Sequence, residues 1–318
     1  MKASILVGPK RSQIRDVPRP ELGDGDILVK VKACGVCRSE LEEWQTGKTI
    51  HSIMGHEPSG VVESVGTQVT AIRVGQPVTV FTGSNGPFTT YTSCGYAEYV
   101  VVPQENSVVI PDGVGFEHAL GEPIACLVSA YERTPISLSD RVVVIGCGFM
   151  GLALMQLLKL RSPRELVAVD VDPGALERAR KFGADRTCTP NQLESVRWWK
   201  DGEKGFEVVV EATGAQKPLD LAGEVVNAHG TIVILGAHGV RQVDVGLWNV
   251  KALTIINAHE KRRSYFMECM KNGLDLIAKG KLDMRSLVSH RYELEQLDGA
   301  FADLESKKSG HTKGVVMM

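Results

Sequence analysis

The sequence predicts an α/β chain in two domains, one a doubly wound parallel sheet and the other a β-rich unit. Three observations predict it. Up to about residue 110, apolar and polar positions alternate in short runs broken by glycine, the pattern of a small barrel or irregular sheet. From residue 117 apolar strands and helices alternate instead, as a parallel sheet covered on both faces requires. The 318 residues exceed the ~100–200 usual for one domain, and 43% of them are hydrophobic, enough for two cores.

In order along the chain, ILVKVKACGV (27–36) alternates as a strand, and SGVVESVGTQV (59–69) and GQPVTVF (75–81) are short strands broken by glycine. YAEYVVVP (96–103) and SVVIP (107–111) continue the series. EHALGEPIACLVSAYERT (117–134) repeats apolar residues every three or four positions, as a helix does. RVVVIG (141–146) is an apolar strand and CGFMGLALMQLLKL (147–160) the helix after it. ELVAVDVD (165–172) and GALERARKFGA (174–184) repeat the pair, the second helix ending at glycine. FEVVVEATG (206–214) and GTIVILGA (230–237) are further buried strands. The tail supplies two helices (264–280 and 294–308) and a last strand, KGVVMM (313–318). No internal repeat or low-complexity segment is visible.

A net charge of −2 without a basic block argues against a nucleic-acid or membrane-surface partner; KRR at 261–263 reads as an exposed helix start. The early apolar run ASILVG (3–8) is too short for a signal segment, and the uncharged run Val142–Leu158 is too short to span a bilayer. Seven cysteines (34, 37, 94, 126, 147, 188, 269) are scattered and odd in number, which fits free thiols in a reducing compartment. The expectation is a cytoplasmic protein.

VVVIGCGFMG places Gly146, Gly148 and Gly151 where a strand turns into a helix. Gly146 permits the tight turn, Gly148 lets backbone approach a pyrophosphate, and Gly151 lets helix pack on strand. Phe149 and Met150 complete the loop, whose helix start offers N–H groups and a positive dipole end to phosphates. Asp170 ends the next strand about 20 residues on, where an acid accepts the ribose hydroxyls. A carboxylate there repels a 2′-phosphate and no Arg or Lys follows before Arg178, so NAD is expected over NADP.

Cys37, the adjacent pair His56 and Glu57, and Glu122 with Cys126 offer the thiolate, imidazole and carboxylate of a catalytic zinc. On spacing alone a zinc site and an unmetallated set stand about level. Cys34 and Cys37 form a C-x-x-C, but no second pair completes a zinc knuckle. Cys34 reads as a small buried strand residue, Cys126 and Cys147 as small packing residues, and His118 as a surface residue.

Over essentially its full length the chain resembles the medium-chain dehydrogenases/reductases of the zinc alcohol and polyol (sorbitol- and threonine-type) dehydrogenase kind. The resemblance rests on GVCRSE (35–40), GHEPSGVV (55–62), GEP (121–123), GCGFMG (146–151) with Asp170, and EATG (211–214). It implies a Rossmann domain over 123–259 and a GroES-like catalytic domain from 1–122 and 260–318, with the substrate in the cleft between them. It implies Cys37 and His56 as zinc ligands, Glu57 as a ligand or the carboxylate beside it, and Glu122 as a direct or water-mediated ligand. Glu40 would orient the histidine, Ser39 would hydrogen-bond the bound alcohol and take its proton, and Arg38 and Lys313 would contact the cofactor pyrophosphate. His259 falls near the nicotinamide or substrate in this family. Dimers or tetramers built through edge strands are common in it.

Two departures matter. Glu42 stands where a proton-relaying histidine is often found. The region FTGSNGPFTTYTSCGY (81–96) holds only Cys94 where a structural zinc needs four cysteines, so one catalytic zinc, no structural zinc and a shortened lobe are expected. The leading reading is a zinc- and NAD-dependent dehydrogenase of a secondary alcohol on a polyol, sugar, cyclitol or similar molecule. A zinc-free quinone or enoyl reductase of the same fold, disfavoured by Asp170, and a non-catalytic cofactor-binding protein are the competing ones.

Overall fold

The computed structural model describes residues 1–49, 53–83, 95–193, 205–236 and 239–318. The first part of the chain forms β1 (Lys2–Gly8), β2 (Arg11–Asp16), β3 (Asp26–Val36), α1 (Leu41–Thr46), β4 (Pro58–Val65), β5 (Pro77–Val80), β6 (Tyr99–Pro103), β7 (Ser107–Val109) and α2 (Gly121–Arg133). The middle forms β8 (Arg141–Ile145), α3 (Phe149–Lys159), β9 (Glu165–Val169), α4 (Pro173–Lys181), β10 (Arg186–Cys188), β11 (Phe206–Glu211), α5 (Gln216–Val225), β12 (Val226–Ile234), α6 (Val245–Val250) and β13 (Thr254–Asn257). The tail adds α7 (Arg263–Ala278), β14 (Val288–Glu293), α8 (Leu297–Glu305) and β15 (Lys313–Met317).

Two compact units result. One comprises Met1–Ala125, Met267–Gly280 and Met284–Met318, the other Cys126–Phe266 with Lys281–Asp283. In the first, β14-β15-β3-β4-β5-β7 form one sheet, with β6 also on β3, and β1-β2 form a separate hairpin. The long β3 organises this unit because its apolar residues face two cores. Val29 and Val31 join one with Val62, Val78 and Val100; Cys34 and Val36 join the other with Trp44, Tyr96 and Phe301. Trp44 stacks on Phe301 at 5.5 Å and Tyr96 meets the same ring edge-on. The last strand, β15, pairs antiparallel with β3, Gly314 opposite Val36 and Val315 opposite Gly35. That register carries Lys313 to the end of β3, where Cys37 follows.

The second unit holds the parallel sheet β10-β9-β8-β11-β12-β13. Its central strands are valine-rich and buried nearly throughout, because helices cover both faces. α4 shows why a helix starts there: Asp172 caps it by accepting the Gly174 and Ala175 N–H groups, and Pro173 fills the first helical position. Strand order reverses between β8 and β11, and the glycine loop follows the carboxyl end of β8 at this switch point, where open parallel sheets bind their ligands. No helix among the described residues is long and apolar enough to cross a membrane.

The structure differs from the sequence reading in particulars. The β1–β2 hairpin, α1, α5, α6, β10, β13 and β14 were not anticipated. His118 is buried, not superficial, because the turn at Phe116–His118 folds onto β3 and β4. The shortened lobe and Cys94 fall on residues 84–94, outside the described residues.

Candidate metal centre and nucleotide loop

At the end of β3 the chain turns through a short 3-10 segment, Arg38–Glu40, into α1. This turn presents Cys37, and the loop before β4 presents His56 and Glu57 beside it. One ligand atom from each of the three lies within 4.8 Å of the others. Glu40, buried, holds the histidine: its Oε1 stands 3.2 Å from His56 Nδ1 and accepts the Gly55 N–H at 2.7 Å. Its Oε2 accepts the Tyr96 hydroxyl at 2.8 Å. Nδ1 is therefore engaged and Nε2 is left for a metal. Burial alone would depress His56, but the Glu40 carboxylate and Cys37 outweigh it and hold the imidazole well above its usual range. Burial would raise Glu40, yet His56, Gly55 and Tyr96 together keep it low and ionised.

Glu57 is fully buried, and Lys313 is 4% exposed. Lys313 Nζ donates to Glu57 Oε1 at 2.7 Å and lies 2.6 Å from Oε2, which has no aligned hydrogen-bond donor. Burial would lower Lys313, but Glu57, Cys37 and Glu122 more than compensate, so the ammonium stays charged. Gly35 makes room for this pair: a Cβ there would stand 1.8 Å from Glu57 Oε2. A thiol, an imidazole and a buried carboxylate within reach of one another form a donor set that fits zinc.

Glu122 sits in the first turn of α2, outside this three-residue group, and acts on it through its charge on Lys313. Ser39 is exposed and its hydroxyl donates to Cys37 Sγ at 3.2 Å. Arg38 and Glu42 are exposed at the same turn. Cys126 is half-buried and outside the group. Cys34 is buried, and burial, then Glu40 and Glu57, push its thiol up, so it stays protonated. His259 is exposed and its backbone N–H donates to Asn257 Oδ1.

In the other unit, Gly146, Gly148 and Gly151 form the turn from β8 into α3. Gly146 has φ +104, which favours glycine. A Cβ on Gly151 would lie 1.9 Å from the Gly146 carbonyl oxygen, whereas one on Gly148 would meet nothing within 4 Å. Gly148 thus leaves open space at the start of α3, and no side chain caps that helix. Phe149 is buried and Met150 half-buried behind the loop. Asp170 is pinned toward it: Oδ2 accepts the Cys147 N–H at 2.7 Å and Oδ1 the Asp172 N–H at 3.0 Å. Burial and then Asp170 push the Cys147 thiol far up. Glu211 shapes the neighbouring turn by accepting the Thr213 and Gly214 N–H groups. A phosphate-accepting loop and a carboxylate aimed at a ribose fit a dinucleotide.

Sequence reasoning missed Tyr96, Gly55 and Gly35 as supports of the metal group. Gly55, at φ +99, lets the loop pass the Tyr96 backbone, where a Cβ would come within 2.7 Å. The only signal was Gly55 preceding His-Glu; nothing near Tyr96 announced it.

Two family models match: the alcohol dehydrogenase GroES-like domain over residues 23–112 and the zinc-binding dehydrogenase over residues 150–279. Mouse (Mus musculus) sorbitol dehydrogenase is 27% identical over 337 residues, 96% of this chain and 92% of that protein. A zinc-binding dehydrogenase from Sinorhizobium meliloti 1021 bound to NADP superposes with TM-score 0.85 at 23% identity, covering 100% of this chain and 99% of that one. An Escherichia coli CFT073 alcohol dehydrogenase with NADH gives 0.86 at 23% identity, with the same coverage. The chain belongs to the zinc-binding dehydrogenases of the medium-chain dehydrogenase/reductase superfamily.

Proposed function

We propose that this chain is a zinc- and NAD-dependent dehydrogenase that oxidises a secondary alcohol of a polyol or similar hydroxylated molecule. The observation that carries the reading is the clustering of Cys37, His56 and Glu57 donors within 4.8 Å, with Glu40 orienting the imidazole at 3.2 Å. Cys37, His56 and Glu57 would hold a single catalytic zinc, with Glu122 as a direct or water-mediated partner. When bound, zinc supplies a Lewis acid for the substrate hydroxyl and the nicotinamide supplies the hydride acceptor. Ser39, beside Cys37, takes the substrate proton, and Glu42, exposed on the same turn, passes it to solvent. Glu40 keeps His56 Nε2 turned toward the metal position. The Gly146–Gly151 loop binds the pyrophosphate and Asp170 accepts the ribose hydroxyls; the Lys313 ammonium, buried against Glu57, serves the metal group instead.

The sorbitol-acting mouse relative supports a polyol as substrate. Asp170 supports NAD, because a carboxylate at that position repels a 2′-phosphate; of the solved neighbours one is bound to NADP and another to NADH, so the fold by itself does not choose. Scattered free cysteines support a cytoplasmic protein. β13 supports a homo-oligomer: it is a sheet edge carrying exposed Ile255, and the helix before it in sequence, α6, exposes Val245 and Val250. The test combines metal content of the purified chain with NAD reduction across a panel of polyols and secondary alcohols. About one zinc per chain and turnover lost on chelation are expected; absence of metal with turnover unaffected by chelator would overturn the reading, as would full turnover by Cys37→Ser.

A further inference from the structure

The acid after β9 is not alone. Asp172 follows it by two positions, and its carboxylate has two duties: it caps α4, accepting the Gly174 and Ala175 N–H groups at 3.0 and 3.1 Å, and it receives Arg178 Nη2 at 3.4 Å. Arg178 lies in the second turn of that helix, its side chain 26% exposed, its Nε buried and without a hydrogen-bond partner. A guanidinium with an unused donor is thus tied to a carboxylate that neutralises it. Asp170 sits on the same short segment, joined to Asp172 through the Asp172 N–H. The charges of Asp170, Arg178 and Asp172 all reach the Cys147 thiol, so the three groups share the corner next to the glycine loop. A ribose accepted by Asp170 would present its 2′ position to this corner.

We propose that Asp172 is a second residue selecting a free ribose 2′-hydroxyl, by keeping the Arg178 guanidinium occupied and adding a second negative charge beside a 2′-phosphate. The inference rests on the nucleotide-binding reading of the Gly146–Gly151 loop. It makes NAD preference a property of two carboxylates and one neutralised cation.

The substitution that isolates the effect is Asp172→Asn, because asparagine caps a helix as well as aspartate while carrying no charge. Binding of 5′-ADP, 2′,5′-ADP, NADH and NADPH to the full-length chain is measured by calorimetry, with no substrate and no turnover. The unmodified chain is expected to bind 5′-ADP and NADH in preference to their 2′-phosphorylated counterparts. Asp172→Asn is expected to narrow that preference about tenfold, the worth of one freed guanidinium hydrogen bond to phosphate. Adding Arg178→Met to Asp172→Asn is expected to abolish the gain. A preference within twofold of the original in Asp172→Asn, or a gain that survives Arg178→Met, overturns the inference while leaving nucleotide binding intact. Failure of the unmodified chain to bind any of the four overturns the nucleotide reading as well.

Discussion

Replacing Lys313 by methionine tests the metal centre without removing a ligand. Methionine keeps most of the side-chain length and removes only the charge. The ion pair it breaks is buried at both ends, Glu57 fully and Lys313 at 4% exposure, with nitrogen 2.6–2.7 Å from both carboxylate oxygens. Breaking one side of such a pair costs about 3–5 kcal/mol, because the remaining charge is stranded away from water. In a domain of this size that is a fall of roughly 10 °C in melting temperature. The cost should be paired with a second effect. Glu57 also belongs to the Cys37–His56–Glu57 group, so a metal cation can replace the lost ammonium as its partner. Zinc is therefore expected to raise the melting temperature of Lys313→Met by more than it raises that of the unmodified chain. The assay is thermal unfolding in chelator and in excess zinc, read by circular dichroism. A loss below about 1 kcal/mol in chelator would show that the pair is not stabilising in the sense argued here. Equal zinc stabilisation of both proteins would show that Glu57 does not stand between two cations.

Other outcomes follow from the same geometry. Gly151→Ala should abolish cofactor binding, measured by quenching of protein fluorescence, because its Cβ would meet the Gly146 carbonyl at 1.9 Å and backbone must move. Zinc retention should fall as pH drops through the raised value of His56, measured by dialysis and metal analysis, since only the neutral imidazole is a ligand. In zinc-free protein the sign reverses: the His56–Glu40 pair contributes fully between the ordinary carboxylate value, about 4.3, and the ordinary imidazole value, about 6.5; its contribution is lost as pH rises through the raised His56 value and as pH falls through the depressed Glu40 value. Mass spectrometry after brief iodoacetamide treatment of native protein should find Cys34 and Cys147 unmodified, because both are buried and their thiols are held protonated.

How much of this could be read from the sequence depended on the range of the interaction. Strands such as RVVVI and helices such as FMGLALMQLLK declare themselves because burial on both sides leaves an uninterrupted apolar run. The glycine loop is legible for a similar reason: its constraint is a local collision between Gly151 and Gly146. By contrast, β1 and β2 form a hairpin whose second strand, RSQIRD, has no buried residue, and β13 has an exposure pattern that no alternation rule captures. His118 shows the same limit, since its burial depends on strands far away in sequence.

The metal group marks the boundary between what is local and what is not. Cys37 and Glu40 fall within one turn, so their proximity is built into the chain. The contact between Glu57 and Lys313 spans 256 positions and exists only because β15 pairs with β3 in one register. A one-residue slip would turn Lys313 to the opposite face and strand Glu57 in the core. The buried pair therefore penalises the wrong register as well as setting the charge at the site. That dual constraint explains why a lysine at the start of the last strand can act at a centre whose clustered donors, Cys37, His56 and Glu57, all lie in the first 57 residues.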